Sequence, residues 1–167
     1  MSEAPRGPAD TSAPGSEPLR AVKLRHPSAV THVRKINDHL VLVNGLRSSV
    51  MLYDLRFPHP PSPSRMFPCP TSPCMVYEGH DNEYRTRLGF DVDLEMGLVA
   101  AARDDGGVSV WGLHGGEKID VPALAPRPGS ATTEIQRSGC LRFSPSAVEG
   151  LSNLLVARSG LVEEYSW

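Results

Sequence analysis

The strongest structural signal in the sequence lies in residues 74–113, where short apolar runs alternate with turn sequences. Three of these runs end at Val92, Ala102 and Leu113, and each is followed within a few residues by a turn that contains glycine. Short apolar runs bounded by Gly and Asp are typical of β-strands joined by tight turns. The stretch therefore predicts a small antiparallel sheet, whose last strand lies at residues 118–121.

Two weaker patterns of the same kind flank this sheet. Upstream, we expect strands near residues 30–36, 40–45, 50–56 and 75–77. Downstream, we expect strands at residues 140–143, 154–157 and 161–165. The sequence thus predicts an all-β protein with three sheets, the last of three strands rather than four, which cover about residues 29–78, 84–122 and 138–167.

Two segments outside these sheets are rich in proline, which lacks the N–H group that a sheet requires. Residues 1–28 have almost no large apolar side chains and cannot offset the entropy of ordering, so we predict a disordered tail. Within that tail, Ala21–Arg25 has the pattern of an edge strand. Seven of the 17 residues in 57–73 are proline, which predicts a loop insertion; a polyproline segment that binds a partner is the alternative.

Composition and charge exclude several classes of function for this chain. The formal net charge is −2, so no global field favours nucleic acid or an anionic membrane. Three cysteines do not form a disulfide framework, and no apolar stretch approaches the ~18 residues of a membrane-spanning helix. We therefore expect an intracellular protein, in the nucleus, the cytoplasm or both, without a membrane, nucleic-acid or small-molecule partner.

Three residues of the best-defined sheet carry a specific resemblance. The order His80, Asp105, Trp111 resembles the WD repeat, in which a histidine, a Ser or Thr, an aspartate and a tryptophan are hydrogen-bonded in series across one blade of a β-propeller. The Ser/Thr position falls on Ala101 or Ala102. The resemblance implies a structural network in which Asp105 accepts hydrogen bonds from its own turn and from His80. It also implies a partial propeller, because a closed ring requires four to eight blades.

A second pattern, Tyr53-Asp54-Leu55-Arg56, resembles the WDXR box with Tyr in place of Trp. Together with residues 77–84 and 97–113, this pattern is similar to the C-terminal blades of cullin-4-associated proteins of the WD-repeat factor 4 type, over about residues 30–167. These proteins are substrate receptors of the cullin-4 RING ubiquitin ligase, and their box docks on the damage-binding adaptor. The resemblance therefore assigns adaptor docking to Tyr53, Asp54 and Arg56. The equivalent residues of the next sheet, 111–114, lack both Asp and Arg and are not expected to dock.

A zinc site is one chemical alternative for this chain. Cys69, Cys74 and His80, with His59 upstream, are side chains that bind zinc. Their spacing is not that of a standard zinc finger, and the intervening prolines oppose wrapping around a metal. We therefore interpret the two cysteines as ordinary loop residues and predict no metal and no cofactor.

Carboxylates are the other chemical alternative, because Asp91, Asp93 and Glu95 alternate along a strand end as acid/base or metal-binding groups do. No second cluster faces them in the predicted order of strands, so we interpret them as a solvated strand edge. The sequence predicts no catalytic site and no enzyme. The expected function is a non-catalytic protein-interaction scaffold related to the cullin-4 substrate receptors. A WD-repeat scaffold in an RNA-processing or chromatin complex, and a truncated non-functional fragment, are the alternatives.

Overall fold

The computed structural model describes residues 23–57, 71–126, 138–146, 148, 151–158 and 160–166. These residues form β-strands in three antiparallel sheets, with a short 3₁₀ turn at Pro122–Leu124 and no α-helix among the residues described. The prediction of an all-β protein is confirmed. Most of the predicted tail and most of the proline-rich loop lie outside the described residues.

Each sheet is formed by strands that follow one another in the chain. The first sheet consists of β1 (Val30–Lys35), β2 (Leu40–Gly45), β3 (Ser49–Asp54) and β4 (Met75–Val76). The central sheet consists of β5 (Phe90–Asp93), β6 (Leu98–Ala102), β7 (Val108–Gly112) and β8 (Lys118–Ile119). The third sheet consists, in the described residues, of β9 (Ser138–Pro145), β10 (Ser152–Arg158) and β11 (Leu161–Ser166).

The central sheet is buried on both faces. Every residue of β6 and β7 is buried, and side chains alternate between the two faces of a strand. Val99, Ala101 and Trp111 therefore pack against the first sheet, whereas Ala100 and Val110 pack against the third sheet. A strand buried on both sides requires an almost continuous apolar sequence. This requirement explains the run Leu-Val-Ala-Ala-Ala in β6, which looks neither amphipathic nor alternating.

Two hydrophobic clusters join the three sheets. The cluster between the first and central sheets contains Leu42, Val50, Leu52, Tyr77, Phe90, Val99, Ala101, Trp111 and Leu113. The cluster between the central and third sheets contains Leu88, Leu98, Ala100, Ala102, Val108, Val110, Leu124, Leu141, Phe143, Leu154 and Val156. The first strand of the central sheet, β5, also lies close to β9. The sheets are thus stacked in chain order, with the central sheet between the other two.

The apolar run that ends at Val92 begins at Arg87 in the sequence and predicts a strand from that residue, whereas β5 begins at Phe90. The side chain of Asn82 is buried and accepts a hydrogen bond from the backbone N–H of Arg85 at 2.9 Å, while its amide donates to the Arg85 carbonyl at 2.9 Å. This local turn lies in the segment that leads into β5. In the third sheet the strands are longer than predicted, and Pro145 ends β9, an outer strand where a missing N–H is tolerated.

The described part of the predicted tail, residues 23–28, contacts the first sheet. The carbonyl of Arg25 accepts a hydrogen bond from the N–H of Thr71 at 2.8 Å, and the N–H of Arg25 donates to the Thr71 hydroxyl at 2.9 Å. The ring of His26 reaches the hydroxyls of Tyr53 and Ser49 at 2.9 and 2.8 Å. The described residues 23–25 of the predicted edge strand form no strand, but Arg25 is held to the Thr71 segment by two hydrogen bonds.

Gly89 allows the central and third sheets to approach each other. A Cβ atom at this position would lie 2.6 Å from the backbone nitrogen of Leu141 and 2.7 Å from its Cγ. Since real Cβ atoms do not approach backbone atoms this closely, Gly89→Ala forces β5 and β9 apart. Overpacking of this kind costs about 1–3 kcal/mol, so we expect a lower denaturation midpoint in urea.

Gly139→Ala is the matched control for that prediction. Gly139 lies in β9 itself, two residues before the Leu141 that Gly89 approaches, but a Cβ atom at Gly139 meets nothing within 4 Å. Its denaturation midpoint should remain at or above that of the wild type, because the change also reduces the entropy of the unfolded chain. Equal midpoints for Gly89→Ala and Gly139→Ala would show that the two sheets are not closely packed at this point.

Candidate protein-interaction site

Asp54 and Arg56 form a tight ion pair at the end of β3. The Arg56 Nε donates to both carboxylate oxygens of Asp54, at 3.0 and 3.2 Å, and Nη2 donates to Oδ2 at 2.6 Å. The backbone N–H of Arg56 also donates to Asp54 Oδ1 at 3.0 Å, so one carboxylate organises the turn and the guanidinium together. These hydrogen bonds lower the pKa of Asp54 to about 2 and raise the pKa of Arg56.

The pair is displayed to solvent beside an aromatic ring. The Arg56 side chain is 54% exposed, whereas Asp54 is 18% exposed. The guanidinium carbon lies 5.5 Å from the centroid of the Phe57 ring, which is itself 65% exposed. Arg and aromatic side chains are enriched at protein–protein interfaces and among the residues that dominate their energy. The end of β3 therefore presents a guanidinium group that an ion pair holds in place, beside an exposed aromatic ring.

Tyr53 lies on the opposite face of β3 and is buried. Its hydroxyl is 2.9 Å from Nδ1 of His26 and donates to the sulfur of Met51 at 3.2 Å. Burial raises the pKa of Tyr53 to about 12. Because neighbouring residues in a strand point to opposite faces, a single surface cannot display both Tyr53 and Asp54. The structure thus brings Asp54 and Arg56 together at the surface and places Tyr53 in the supporting core.

Trp111 is the centre of the packing between the first and central sheets. Its ring is fully buried, and its indole N–H donates to the carbonyl of Glu78 at 2.8 Å. The rings of Tyr77 and His80 meet it edge-on, with centroids 6.2 and 6.1 Å away. Tyr77 in turn donates from its hydroxyl to the carbonyl of Leu113 at 2.6 Å. The segment that links the two sheets is therefore hydrogen-bonded both to β7, at Trp111, and to the residue that follows β7, Leu113.

The hydrogen bond that the sequence led us to expect between His80 and Asp105 is absent. His80 is buried, and neither of its ring nitrogens has a hydrogen-bond partner among the described residues. Asp105 does accept from the N–H of Gly107 at 2.9 Å, as expected within its own turn, and it pairs with Arg103. His80 and Trp111 are thus in contact, while Asp105 belongs to a separate, local interaction.

The carboxylate that ties the turn before β7 to the preceding segment is Asp104, which the sequence analysis did not single out. Its Oδ2 accepts from the N–H of Glu83 at 2.8 Å, and its Oδ1 forms an ion pair with Nε of Arg85 at 3.0 Å. Its own N–H donates to the carbonyl of Asp81 at 2.8 Å. The N–H of Ser48, in the turn between β2 and β3, donates to the carbonyl of Asn82 at 2.8 Å, so residues 81–85 connect the first sheet to the central sheet. Only the adjacency of two aspartates in the sequence indicated this role.

The interpretation of Asp91, Asp93 and Glu95 as a solvated strand edge was wrong for the two aspartates of β5, whereas Glu95, in the turn after β5, is exposed. Asp91 and Asp93 are both buried. Asp91 accepts from the N–H of Phe143 at 2.9 Å and lies near Arg34 and Arg142, at 3.5 and 3.8 Å. It connects strands from three sheets.

Asp93 has a different structural role. It accepts from the N–H groups of Glu95 and Met96, at 2.9 and 3.0 Å, and from the Ser152 hydroxyl in the third sheet. Burial would raise the pKa of Asp93, but these hydrogen bonds lower it below the usual value. Asp93 thus closes the β5–β6 turn and fastens it to β10.

Among the described residues, no group of three or more His, Cys, Asp and Glu side chains is placed to hold a metal ion. The thiol of Cys74 donates to the carbonyl of Leu52 at 3.2 Å, while Cys69 and His59 lie outside the described residues. The part of the chain that is described also contains no helix of the length and apolarity needed to cross a membrane.

Comparison with protein-family models finds no matching family, and comparison with curated proteins finds no match. Among solved structures, the chain is similar to the computationally designed Ika4 protein, with a TM-score of 0.40 and 10% identity over 92% of this chain and 98% of that one. It is also similar to the computationally designed Ika8 protein, with a TM-score of 0.31 and 12% identity over 84% of this chain and 49% of that one.

Proposed function

We propose that this chain is a non-catalytic protein-interaction scaffold, built on part of a WD-repeat β-propeller and related to the substrate receptors of the cullin-4 RING ubiquitin ligase. The observation that carries the proposal is the Asp54–Arg56 pair, which holds a half-exposed guanidinium at a strand end beside the exposed ring of Phe57. In this function, Arg56 contacts acidic groups or carbonyls of the damage-binding adaptor, and Asp54 fixes its direction.

The packing of the sheets supports the architectural part of the proposal. The sheets follow one another in chain order, each is an antiparallel meander, and the central one is buried between its neighbours. Consecutive blades of a propeller are also antiparallel meanders that follow one another in chain order, and this likeness supports the proposal. The contact between His80 and Trp111 is compatible with the WD resemblance, while the absent hydrogen bond to Asp105 departs from it.

Arg56→Ala is expected to reduce recovery of the adaptor in a quantitative pulldown with the full chain more than tenfold. The reason is that an interface arginine held in a fork cannot be replaced by a neighbouring group. The fold should be unaffected, because the side chain is exposed, so the melting temperature should match that of the wild type.

Lys35→Ala is the matched control, because Lys35 forms a similar short-range ion pair with Asp38, at 2.7 Å, on an exposed strand end. Adaptor recovery with Lys35→Ala should equal that of the wild type. Equal recovery with wild type and Arg56→Ala would defeat docking through this pair. A loss of recovery with both variants would show that adaptor binding depends on surface charge in general and not on Arg56 in particular.

A further inference from the structure

The first strands of the three sheets converge on an open cleft of about 440 Å³. One wall comes from β1, one from the segment that leads into β5, and one from β9. The lining contains three arginines, Arg34, Arg87 and Arg142, one from each of these walls. They are far apart in the sequence, and only the stacking of the sheets brings them together.

The positive charge of this arginine cleft exceeds the negative charge that faces it. Asp91 is the buried carboxylate beneath the cleft, and it is shared between Arg34 at 3.5 Å and Arg142 at 3.8 Å. Both distances are long for a charge-assisted hydrogen bond, and Asp91 is also occupied by the N–H of Phe143. Arg87 is exposed and forms no ion pair with a described residue. Three guanidinium groups thus face one carboxylate.

The lining of the cleft favours a protein ligand over a nucleic acid. Proteins that bind single-stranded nucleic acid combine positive charge with exposed aromatic rings on which bases stack. The described lining has two aromatic rings: Phe90, which is only 3% exposed, and His32, which is half-buried with its ring centroid 5.5 Å from that of Phe90. Tyr84 and Phe57 are well exposed but do not line the cleft.

The floor of the cleft strengthens its electrostatics. Leu88, Phe90 and Leu141 lie beneath the arginines and are almost fully buried. Charges above such an apolar floor interact more strongly than charges surrounded by water. His32 adds a neutral hydrogen-bonding group, because burial and the nearby Arg34 lower its pKa.

We propose that the arginine cleft binds the anionic side chains of an extended peptide from a protein partner, either carboxylates or phosphorylated residues. The planar guanidinium groups match the two oxygens of a carboxylate or a phosphoryl group. The anionic group of the ligand neutralises the positive charge of the arginines that Asp91 alone does not balance. This site is a second surface of the scaffold. It shares no residue with the Asp54–Arg56 pair and does not depend on adaptor docking.

The test is a fluorescence anisotropy titration of the full chain with a short labelled glutamate-rich peptide, at low salt. Parallel titrations use the matching glutamine peptide, a phosphoserine peptide and a single-stranded oligonucleotide. We expect binding of the glutamate peptide, the phosphoserine peptide or both, with no binding of the glutamine peptide. Whichever of the two anionic peptides binds more tightly identifies the source of the charge. The affinity should fall as salt is raised, because exposed charges are screened.

Arg87→Gln and Arg142→Gln are each expected to weaken peptide binding about tenfold, the loss of roughly one charge-assisted hydrogen bond. Arg25→Gln is the matched control, because Arg25 is exposed and does not line the cleft. Arg56→Ala should leave peptide binding unchanged, so failure of this proposal and failure of adaptor docking are distinguishable.

Cys140 provides an independent readout, because its thiol is exposed and lines the cleft, whereas the exposed thiol of Cys74 lies outside it. Bound peptide should slow alkylation of Cys140 and leave alkylation of Cys74 unchanged, as measured by mass spectrometry of each site. The proposal is overturned if neither anionic peptide binds, if the glutamine peptide binds equally, or if Arg25→Gln has the same effect as the cleft variants. Tighter binding of the oligonucleotide through the same arginines would overturn the choice of a peptide ligand.

Discussion

Replacement of Trp111 by alanine is expected to lower the free energy of unfolding by about 3–5 kcal/mol, the largest effect of any single substitution considered for this chain. The indole is fully buried between the first and central sheets, so its removal leaves a cavity that the rings of Tyr77 and His80 cannot close without moving. It also leaves the Glu78 carbonyl without the indole hydrogen bond. Since domains of this size are stable by only about 5–15 kcal/mol, much of the stability would be lost.

Denaturant unfolding followed by far-UV circular dichroism measures this effect without relying on tryptophan fluorescence. Trp111→Phe retains much of the volume but loses the hydrogen bond to Glu78, so its loss should be clearly smaller than that of Trp111→Ala. Tyr84→Ala is the control for removal of an aromatic ring, because Tyr84 is 74% exposed, and its effect should stay within about 0.5 kcal/mol. A loss for Trp111→Ala no greater than that for Tyr84→Ala would contradict the packing described.

Acidification is expected to destabilise the protein through His80. Burial lowers the pKa of His80 to about 4; the nearby Asp104 carboxylate partly opposes this shift, while Arg103 and Lys118 add to it. The unfolded chain binds a proton at His80 below about pH 6.5, whereas the folded protein does so only near pH 4. The unfolded state therefore binds more protons between these values, and the free energy of unfolding falls with falling pH across that window. The difference of pKa corresponds to about 3 kcal/mol, and the loss stops below about pH 4.

His80→Phe separates this contribution from other titrating groups. The variant retains an aromatic ring against Trp111 but has no proton to bind, so its stability should decrease about 3 kcal/mol less than that of the wild type between pH 6.5 and pH 4. Burial also lowers the pKa values of His26 and His32, but these residues are present in both proteins and their effects cancel in the comparison.

Unfolding midpoints at a series of pH values give the result. The same pH dependence for wild type and His80→Phe would show that the imidazole is hydrated or paired in the folded protein.

Local sequence patterns were sufficient to predict most of the strands. β2 and β6 have the predicted bounds, because each is an apolar run that ends at a residue or turn that breaks the ladder. The start of β5 was misplaced because Leu88 is apolar and buried, yet it lies outside the strand. The length of β9 was underestimated because Pro145 stops a central strand but is tolerated at an edge.

Among the candidate sites, the sequence predicted the one formed by neighbouring residues and missed the one formed by distant residues. The Asp54–Arg56 pair is a contact between residues two apart, and the sequence pattern pointed to both of them. The choice between Asp104 and Asp105 could not be made from the sequence, because two adjacent carboxylates in a turn point in different directions. The arginine cleft was missed altogether, since its three cations come from β1, from the segment before β5 and from β9, which are far apart in the sequence.

The amino-acid sequence by itself determined where the chain forms strands and turns, because the alternation of apolar runs with Gly, Asp and Pro acts within a few residues. Only the tertiary structure decided which charged groups meet. Asp91 is one member of an acidic series in the sequence, yet in the fold it lies between arginines from two other sheets. Such contacts depend on the register and stacking of sheets, which are set by the burial of residues as distant as Leu42, Trp111 and Leu154.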